Sequence, residues 1–110
     1  MNKYLTSATK AVLKCLQNYA VFPGRASRSE FWYFFIFFYA ANLLGNLIAD
    51  FVGSLITLGL LLPYISVAVR RIHDRNKAGW YLLIPLLNIY LLATPGDSGS
   101  NNFGGKPEKF

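Results

Sequence analysis

Charged residues are scarce in this sequence. They make up 15% of its 110 residues, and only five are acidic. Hydrophobic residues make up 54% and aromatic residues 16%. Because a typical soluble domain has about a quarter of its residues charged, this scarcity argues against an ordinary soluble domain. The composition instead favours a membrane protein.

Cysteine and histidine occur once each, as Cys15 and His73. A single cysteine excludes an internal disulfide, and one histidine beside one carboxylate, Asp74, supplies too few ligands for a metal ion. A histidine next to a carboxylate can act as a general base, but no second histidine, paired carboxylate or nucleophile stands at a suitable spacing. We therefore predict that the protein is not an enzyme and has no catalytic residues, no metal and no cofactor.

The net charge of +6 raises the question of nucleic acid binding. The cations, however, flank apolar runs and do not alternate with exposed aromatic residues on a soluble face. Anionic membrane lipids are therefore the predicted partners of these cations, and no nucleic acid is expected.

The longest apolar run covers residues 31–69 and contains a single ionisable residue, Asp50. As one helix, these 39 residues would measure about 58 Å, nearly twice the roughly 30 Å of a bilayer's hydrocarbon core. The chain must therefore reverse, and Asp50, with Gly45 and Gly53 nearby, marks the reversal. We predict two antiparallel spans, 31–49 and 51–69, within one membrane domain that covers residues 1–110.

The segments on either side of this hairpin also have recognisable patterns. Residues 1–20 place apolar residues at steps of three and four with lysines opposite, which predicts an amphipathic helix in the membrane interface. A soluble helix packed on a partner is the alternative. Residues 78–94 form a third apolar run of 17 residues, which either spans the membrane or re-enters it. Residues 95–110 are rich in Gly, Ser and Asn and are predicted to form a polar tail.

The distribution of lysine and arginine predicts the orientation of the hairpin. Five of these residues precede the first span, four follow the second, and the turn between the spans carries none. Because cytoplasmic segments are enriched in Lys and Arg, residues 1–30 and 70–78 are expected in the cytoplasm. The side of the tail depends on whether residues 78–94 span.

Small and polar residues form a stripe along the first span. Glycine and alanine recur every four residues, and asparagine and aspartate recur beside them. Such a stripe lets helix backbones approach closely, and the amides can hydrogen-bond across the contact. It predicts a packing contact within the hairpin or between copies of the chain, or a polar path in an oligomer. Its members are Ala41, Asn42, Gly45, Asn46, Ala49 and Asp50.

The predicted hairpin brings two charged segments, GRASRSE at 24–30 and RRIHDR at 70–75, to one membrane face. The planar guanidinium of arginine binds carboxylate or phosphate through two parallel hydrogen bonds. The segments therefore predict one polar cluster, which is either a structural collar or a site for an anionic ligand or lipid headgroup. In the collar, Asp74 would pair with Arg28 or Arg71. The predicted members are Arg25, Arg28, Glu30, Arg70, Arg71, His73 and Asp74.

Three motifs resemble the signatures of a known bacterial family. They are Arg25-Ala-Ser-Arg28-Ser-Glu30-Phe-Trp32, then Arg70-Arg71-Ile-His73-Asp74 running into Ala78-Gly79-Trp80, then Gly96-x-x-Gly99-x-Asn101-x-Phe103-Gly104-x-x-Pro107. In this order they resemble the domain of unknown function 805 family, over roughly residues 15–107. The resemblance implies a small inner-membrane protein of about three spans, and it implies no activity.

The chain departs from the family pattern in two places. Arg75-Asn76-Lys77 stands where a small residue and a glycine often follow the His-Asp pair, and the third apolar run is several residues shorter than usual. If that run re-enters, the tail would return to the charged face. There Asp97, Asn101 and glycine amides could close a polar pocket.

The sequence thus predicts an all-α integral membrane protein with an interfacial N-terminal amphipathic helix, a two-span hairpin and a short third hydrophobic helix. The predicted function is that of a non-enzymatic interaction or scaffold protein, which associates with itself or with another membrane protein. The alternative is an oligomeric transporter or channel subunit, or a module that binds anionic lipids.

Overall fold

The structure, a computed structural model, describes residues 3–96 and 99–107 and is all-α. These residues contain no strand, and only Asn101 and Gly104 form an isolated antiparallel bridge. The predicted all-α fold is confirmed. The helices are α1 Lys3–Gln17, α2 Arg28–Ile48, α3 Asp50–Asp74 and α4 Leu87–Ala93, with a 3₁₀ helix at Gly79–Leu83 between α3 and α4.

The helices α2 and α3 form a hairpin. α2 begins after Ser27, whose hydroxyl accepts a hydrogen bond from the backbone N–H of Glu30 at 3.3 Å and so caps the helix. Both helices are long and apolar enough to cross a membrane. One extended residue, Ala49, connects them, so the chain reverses directly before Asp50. We call the Ala49 end of the hairpin its closed end and the opposite end its open end.

Glycines allow α2 and α3 to approach closely near the closed end. A Cβ atom added at Gly45 would lie 3.2 Å from the Gly53 Cα atom, and one added at Gly53 would overlap the side-chain amide of Asn46. The Asn42 amide crosses to α3, where it donates to the Gly53 carbonyl at 3.3 Å and to the Thr57 hydroxyl. Of the stripe of small and polar residues, Asn42, Gly45 and Asn46 therefore contact α3 within the hairpin.

Pro63 interrupts the hydrogen bonding of α3. Because proline has no N–H, the carbonyl four residues earlier, that of Gly59, loses its helical donor. The hydroxyl of Tyr19, which follows α1, donates to the Gly59 carbonyl at 2.6 Å. A residue outside the helix thus replaces the hydrogen bond that the proline removes, as the interior of a membrane requires.

The helix α1 packs one face against the hairpin. Ala11 and Cys15 on that face are fully buried. Beyond the helix the chain stays against α3, since the Ser66 hydroxyl donates to the Asn18 carbonyl at 3.3 Å. The placement of the opposite face of α1 in the membrane interface stays a prediction.

The core between α2 and α3 is aromatic. Tyr64 of α3 makes edge-to-face contacts with rings of α2, with centroid distances of 4.7 Å to Phe38 and 6.1 Å to Phe31. From α4, Leu91 and Leu92 complete the buried apolar cluster. Because aromatic rings bury a large area in specific geometries, this core fixes the helices that carry the charged residues.

Residues 78–94 do not form one spanning helix. Leu86, with a φ of 67°, separates the 3₁₀ helix from α4, and the Asn88 side chain closes the bend by donating to the Leu82 carbonyl at 2.8 Å. The seven residues of α4 measure about 10 Å, against the roughly 30 Å of a hydrocarbon core. The run folds back on α3. The described residues contain two helices able to span, fewer than the three or so that the family resemblance implied.

Candidate functional site

The open end of the hairpin, where α2 begins and α3 ends, gathers the charged residues. The segment before α2 is held there by a hydrogen bond from the Ala26 N–H to the Arg70 carbonyl at 3.0 Å. The structure thus brings the two charged segments together. Five buried side chains form what we call the arginine–carboxylate cluster: Arg25, Glu30, Arg70, Arg71 and Asp74.

Asp74 is the centre of one half of this cluster. Its Oδ1 accepts from Arg25 Nε at 2.9 Å and forms an ion pair with Arg25 Nη2 at 2.8 Å. Its Oδ2 accepts from Arg71 Nη1 at 2.6 Å. The sequence predicted a partner in Arg28 or Arg71, and it did not foresee that Arg25 would be the second partner. A carboxylate between two buried guanidinium groups has the charge-assisted hydrogen bonds that burial of charge requires.

The remaining donors of the two guanidinium groups bind backbone carbonyls. Arg71 donates from Nε to the Leu92 carbonyl at 3.1 Å and from Nη2 to the Thr94 carbonyl. Arg25 donates from Nη1 to two tail carbonyls, those of Gly99 at 2.5 Å and Gly104 at 3.2 Å. The Asp74 half of the cluster therefore ties α3 to the end of α4 and to the tail.

Glu30 is the centre of the other half, and its side chain is fully buried. Its Oε2 accepts from Arg70 Nη1 at 2.9 Å, and its Oε1 lies 3.3 Å from Lys14 Nζ. The Cys15 thiol lies 3.5 Å from Oε2. Sequence reasoning missed Lys14 and Cys15 as members of this site. Both residues lie in the last turn of α1, but the sequence contains no pattern that predicts how α1 packs against the start of α2.

The Cys15 thiol is held in its neutral form by these surroundings. Burial raises the pKa of Cys15 well above its usual range, and the neighbouring Glu30 carboxylate raises it further. Because the thiolate is the nucleophilic form, this position does not suit a reactive cysteine.

His73 contacts the tail and the segment before α2. Its Nδ1 lies 2.9 Å from the Gly24 carbonyl, and its ring stacks on Phe103 with a centroid distance of 4.1 Å. Asn101 donates to the carbonyls of His73 at 3.0 Å and Asp74 at 3.4 Å, at the end of α3. The predicted return of Asn101 to the charged face is present in the structure. Asp97, predicted beside it, lies outside the described residues.

Arg28 is separate from the cluster. It is the first residue of α2, its side chain is exposed, and its Nη1 reaches the Ala93 carbonyl at 3.4 Å. Of the seven residues predicted for the polar cluster, it is the one that faces outward.

The residues of the stripe lie elsewhere, near the closed end. Asn46 donates to the Asn42 carbonyl at 2.9 Å and to its side-chain oxygen at 3.0 Å. Asp50, at the start of α3, is exposed. Ala41 and Gly45 lie on α2, and Ala49 connects α2 to α3. The amides are engaged within the hairpin, which favours the packing interpretation of the stripe over a seam between copies.

The chemistry of the open end is that of ion pairing. No group of three or more His, Cys, Asp or Glu residues that could hold a metal ion occurs in ranges 3–96 and 99–107. Each of the three motifs contributes to the cluster: the first supplies Arg25 and Glu30, the second supplies Arg70, Arg71 and Asp74, and the third supplies tail carbonyls.

These features define a class of protein, a small helical membrane protein whose hairpin carries a buried arginine–carboxylate cluster at its open end. The model of the family described as Protein of unknown function (DUF805) matches residues 19–105. The chain therefore belongs to this family, and the resemblance of its motifs is confirmed.

Two relatives from Escherichia coli strain K12 support this membership. The chain is 34% identical over 110 residues to the inner membrane protein YhaI, covering 87% of this chain and 93% of YhaI. It is 37% identical over 114 residues to the inner membrane protein YhaH, covering 87% of this chain and 94% of YhaH. No solved structure matches the chain. Its relatives are thus inner membrane proteins, and it carries two helices able to cross such a membrane.

Proposed function

We propose that this protein is a non-enzymatic interaction protein of the bacterial inner membrane. The proposal rests on the Asp74 half of the arginine–carboxylate cluster, in which the donors of both arginines are paired within the fold. Every guanidinium nitrogen of Arg25 and Arg71 donates to Asp74 or to a backbone carbonyl, so these groups stabilise the fold and are not presented to a substrate. The exposed surface of the hairpin is apolar along both helices. Contact with neighbouring membrane components is the role that such a surface supports.

Site-specific photo-cross-linking in native membranes tests this role. A photo-reactive amino acid at Leu47 or Leu58, which are exposed on α2 and α3, is expected to give protein adducts of discrete mass. The same group at the fully buried Phe34 is the matched control and is expected to give none. Adducts that contain lipid alone at both exposed positions would contradict the interaction role. A discrete adduct of twice the chain mass would identify a second copy as the partner.

We also propose that the chain crosses the membrane twice, with both ends in the cytoplasm. The contacts of Arg25 with Gly99 and Gly104 favour this topology, because they join the tail to the segment that precedes α2. The lysines and arginines that flank the hairpin favour the cytoplasmic side for its open end.

Labelling of a Ser100→Cys variant tests this topology, since Ser100 is exposed. A membrane-impermeant maleimide is expected to leave the variant unlabelled in spheroplasts and to label it after lysis. Labelling in intact spheroplasts would place the tail outside and would require an odd number of spans.

A second candidate function, binding of anionic lipids, is favoured by the way the fold separates charges. Arg28 and Lys77 flank the open end and are exposed, whereas Glu30 and Asp74 face inward and Asp50 lies at the closed end. The outward cations at this end thus lack a neighbouring surface carboxylate among the described residues. Cations near a membrane surface attract anionic headgroups by about 1 kcal/mol each.

The lipids that co-purify with the protein test this function. We expect the ratio of phosphatidylglycerol to phosphatidylethanolamine to fall when Arg28 and Lys77 are both replaced by Gln. Replacement of the exposed Asp50 by Asn at the other end is the control and should leave the ratio unchanged. An unchanged ratio in the double variant would contradict lipid binding by these cations.

A further inference from the structure

Arg70 differs from the other two buried arginines because part of its guanidinium has no partner. The residue is 3% exposed, and its Nη1 is bonded to Glu30 at 2.9 Å. Its Nε and Nη2 are buried and have no hydrogen-bond partner within residues 3–96 and 99–107. Buried polar groups are almost always hydrogen-bonded, and a buried charge with free donors is costly. The environment of Arg70 is therefore incomplete without a further acceptor.

The two free donors have the geometry of an oxyanion site. The N–H bonds of Nε and Nη2 project from one edge of the planar guanidinium in parallel, which is the arrangement that binds two oxygens of a phosphate or carboxylate. Two contacts hold this edge in place: the ion pair of Arg70 Nη1 with Glu30 and the hydrogen bond of the Arg70 carbonyl with Ala26.

The local charge also favours an anion. Glu30 is paired with two cations, Arg70 at 2.9 Å and Lys14 at 3.3 Å, so this half of the cluster has one more positive charge than negative. Because an uncompensated charge is expensive to bury, a bound anion would stabilise the Glu30 half of the cluster by neutralising its excess positive charge.

The position of the site suggests the source of the anion. Glu30 lies in the first turn of α2 and Arg70 near the end of α3, which is the level of the lipid headgroups if both helices span the membrane. The Lys14 side chain, which pairs with Glu30, is 27% exposed, so this half of the cluster extends to the surface. We propose that the free edge of the Arg70 guanidinium binds a phosphate oxyanion, from a phospholipid headgroup or from free phosphate. This proposal does not rest on the interaction role and would survive failure of the cross-linking test.

Thermal unfolding of the full-length protein in non-ionic detergent tests the proposal. Two probes are titrated, inorganic phosphate and short-chain phosphatidylglycerol, each against chloride at equal ionic strength. At saturation, the probe that binds Arg70 is expected to raise the Tm of the protein by about 5 °C or more. A response to phosphate indicates the free ion, and a response to phosphatidylglycerol alone indicates the lipid. No rise with either probe would overturn the proposal and would leave ordered water as the partner of Arg70.

The Arg70→Lys variant keeps the charge and removes the parallel donors, so it is expected to lose the Tm response. Arg28→Lys is the matched control, because Arg28 is exposed and lies outside the cluster, and it should keep the response. A full response in Arg70→Lys would overturn the proposal.

Native mass spectrometry decides the case in which Arg70→Lys does not fold. The wild-type protein and Arg28→Lys are expected to carry one phosphate-bearing adduct per chain. The Lys14→Gln variant, which retains the Arg70–Glu30 pair, should carry it at lower occupancy. Wild-type protein free of such an adduct at saturating probe would overturn the proposal.

Discussion

At the scale of single residues, the Asp74 carboxylate has the largest predicted effect on stability. It is the shared partner of Arg25 and Arg71, and all three side chains are buried. The Asp74→Asn variant would leave two buried guanidinium groups without their counter-charge, and we expect it to lose about 3 to 5 kcal/mol of stability. Unfolding of purified protein in detergent measures this loss. The exposed Asp50→Asn variant is the control and should change stability little.

Cys15 gives a second prediction at this scale. Its raised pKa and its burial both suppress the thiolate, so N-ethylmaleimide at pH 8 should alkylate it at least about a hundredfold more slowly in the folded protein than in denaturant. A Ser100→Cys variant supplies an exposed thiol for comparison. Equal reaction rates for Cys15 in the folded and unfolded protein would show that it is not enclosed between α1 and α2.

The residue types of the cluster could be predicted from the sequence, but their pairing could not. Charge counting and the hairpin bring Arg25, Arg28 and Asp74 to one end. Which arginine turns inward depends on the loop before α2, where Gly24 has a φ of 100° and the next residues bond to the end of α3. That loop conformation has no periodic pattern for the sequence to reveal.

At the scale of elements, the Tyr19 hydroxyl is expected to stabilise α3 at its proline. The Tyr19→Phe variant leaves the Gly59 carbonyl, which is exposed on the surface of the protein and faces apolar lipid if α3 spans the membrane, without a donor, and we predict a loss of about 1 to 3 kcal/mol. Detergent unfolding measures the loss, with Tyr4→Phe at an exposed ring as the control. Equal stability of Tyr19→Phe and wild type would mean that α3 satisfies this carbonyl in another way.

The close approach of α2 and α3 gives a further prediction. In Gly53→Ala, the added methyl group would overlap the Asn46 amide and disturb the polar contacts between the helices, which should cost about 1 to 3 kcal/mol. Gly59→Ala is the matched control in the same helix, because nothing lies within 4 Å of its added methyl group. It should be neutral or stabilising by up to about 1 kcal/mol, since alanine favours helix. A neutral Gly53→Ala would show that the hairpin contact is loose.

The two long helices were predictable as elements, and the third apolar run was not. The apolar run at residues 31–69 is too long for one span and long enough for two, so the chain must reverse once within it. Asp50 predicts the position of this reversal to within one residue of Ala49. Residues 78–94 form a run at the minimum length for a membrane span, so its length does not decide whether it spans or folds back. Their fold depends on tertiary contacts: Gly79 lies against Val69, and Arg71 binds the carbonyls at the end of α4.

At the scale of the whole molecule, the motifs and the composition predicted the family and the helical membrane fold, both of which are confirmed. For the third motif, the sequence predicted a return to the charged face only if the third apolar run re-enters, with glycine amides as the contacting groups. Its glycines present backbone carbonyls to Arg25, and a side chain at Gly96 would overlap the Asp74 carboxylate. Backbone acceptors and close approaches of this kind are set by packing across more than 20 residues of chain, beyond the reach of local patterns.

The two ends of the hairpin are also surrounded unequally. From the open end, other parts of the chain cover α3 as far as Gly59, where Tyr19 bonds about 16 Å along the helix from Arg70, and α4 packs at the end that holds Arg71. Around Ala49 the leucine side chains of both helices are exposed. If the open end faces the cytoplasm, as we propose, the protein would thus occupy more cross-sectional area in the cytoplasmic leaflet than in the opposite one. Such a wedge lowers its energy where that leaflet is stretched, so in membrane tubes drawn from giant vesicles we expect it to be denser where the cytoplasmic face forms the outside of the curve. Equal density on tube and vesicle would mean that the lipids compensate for the shape.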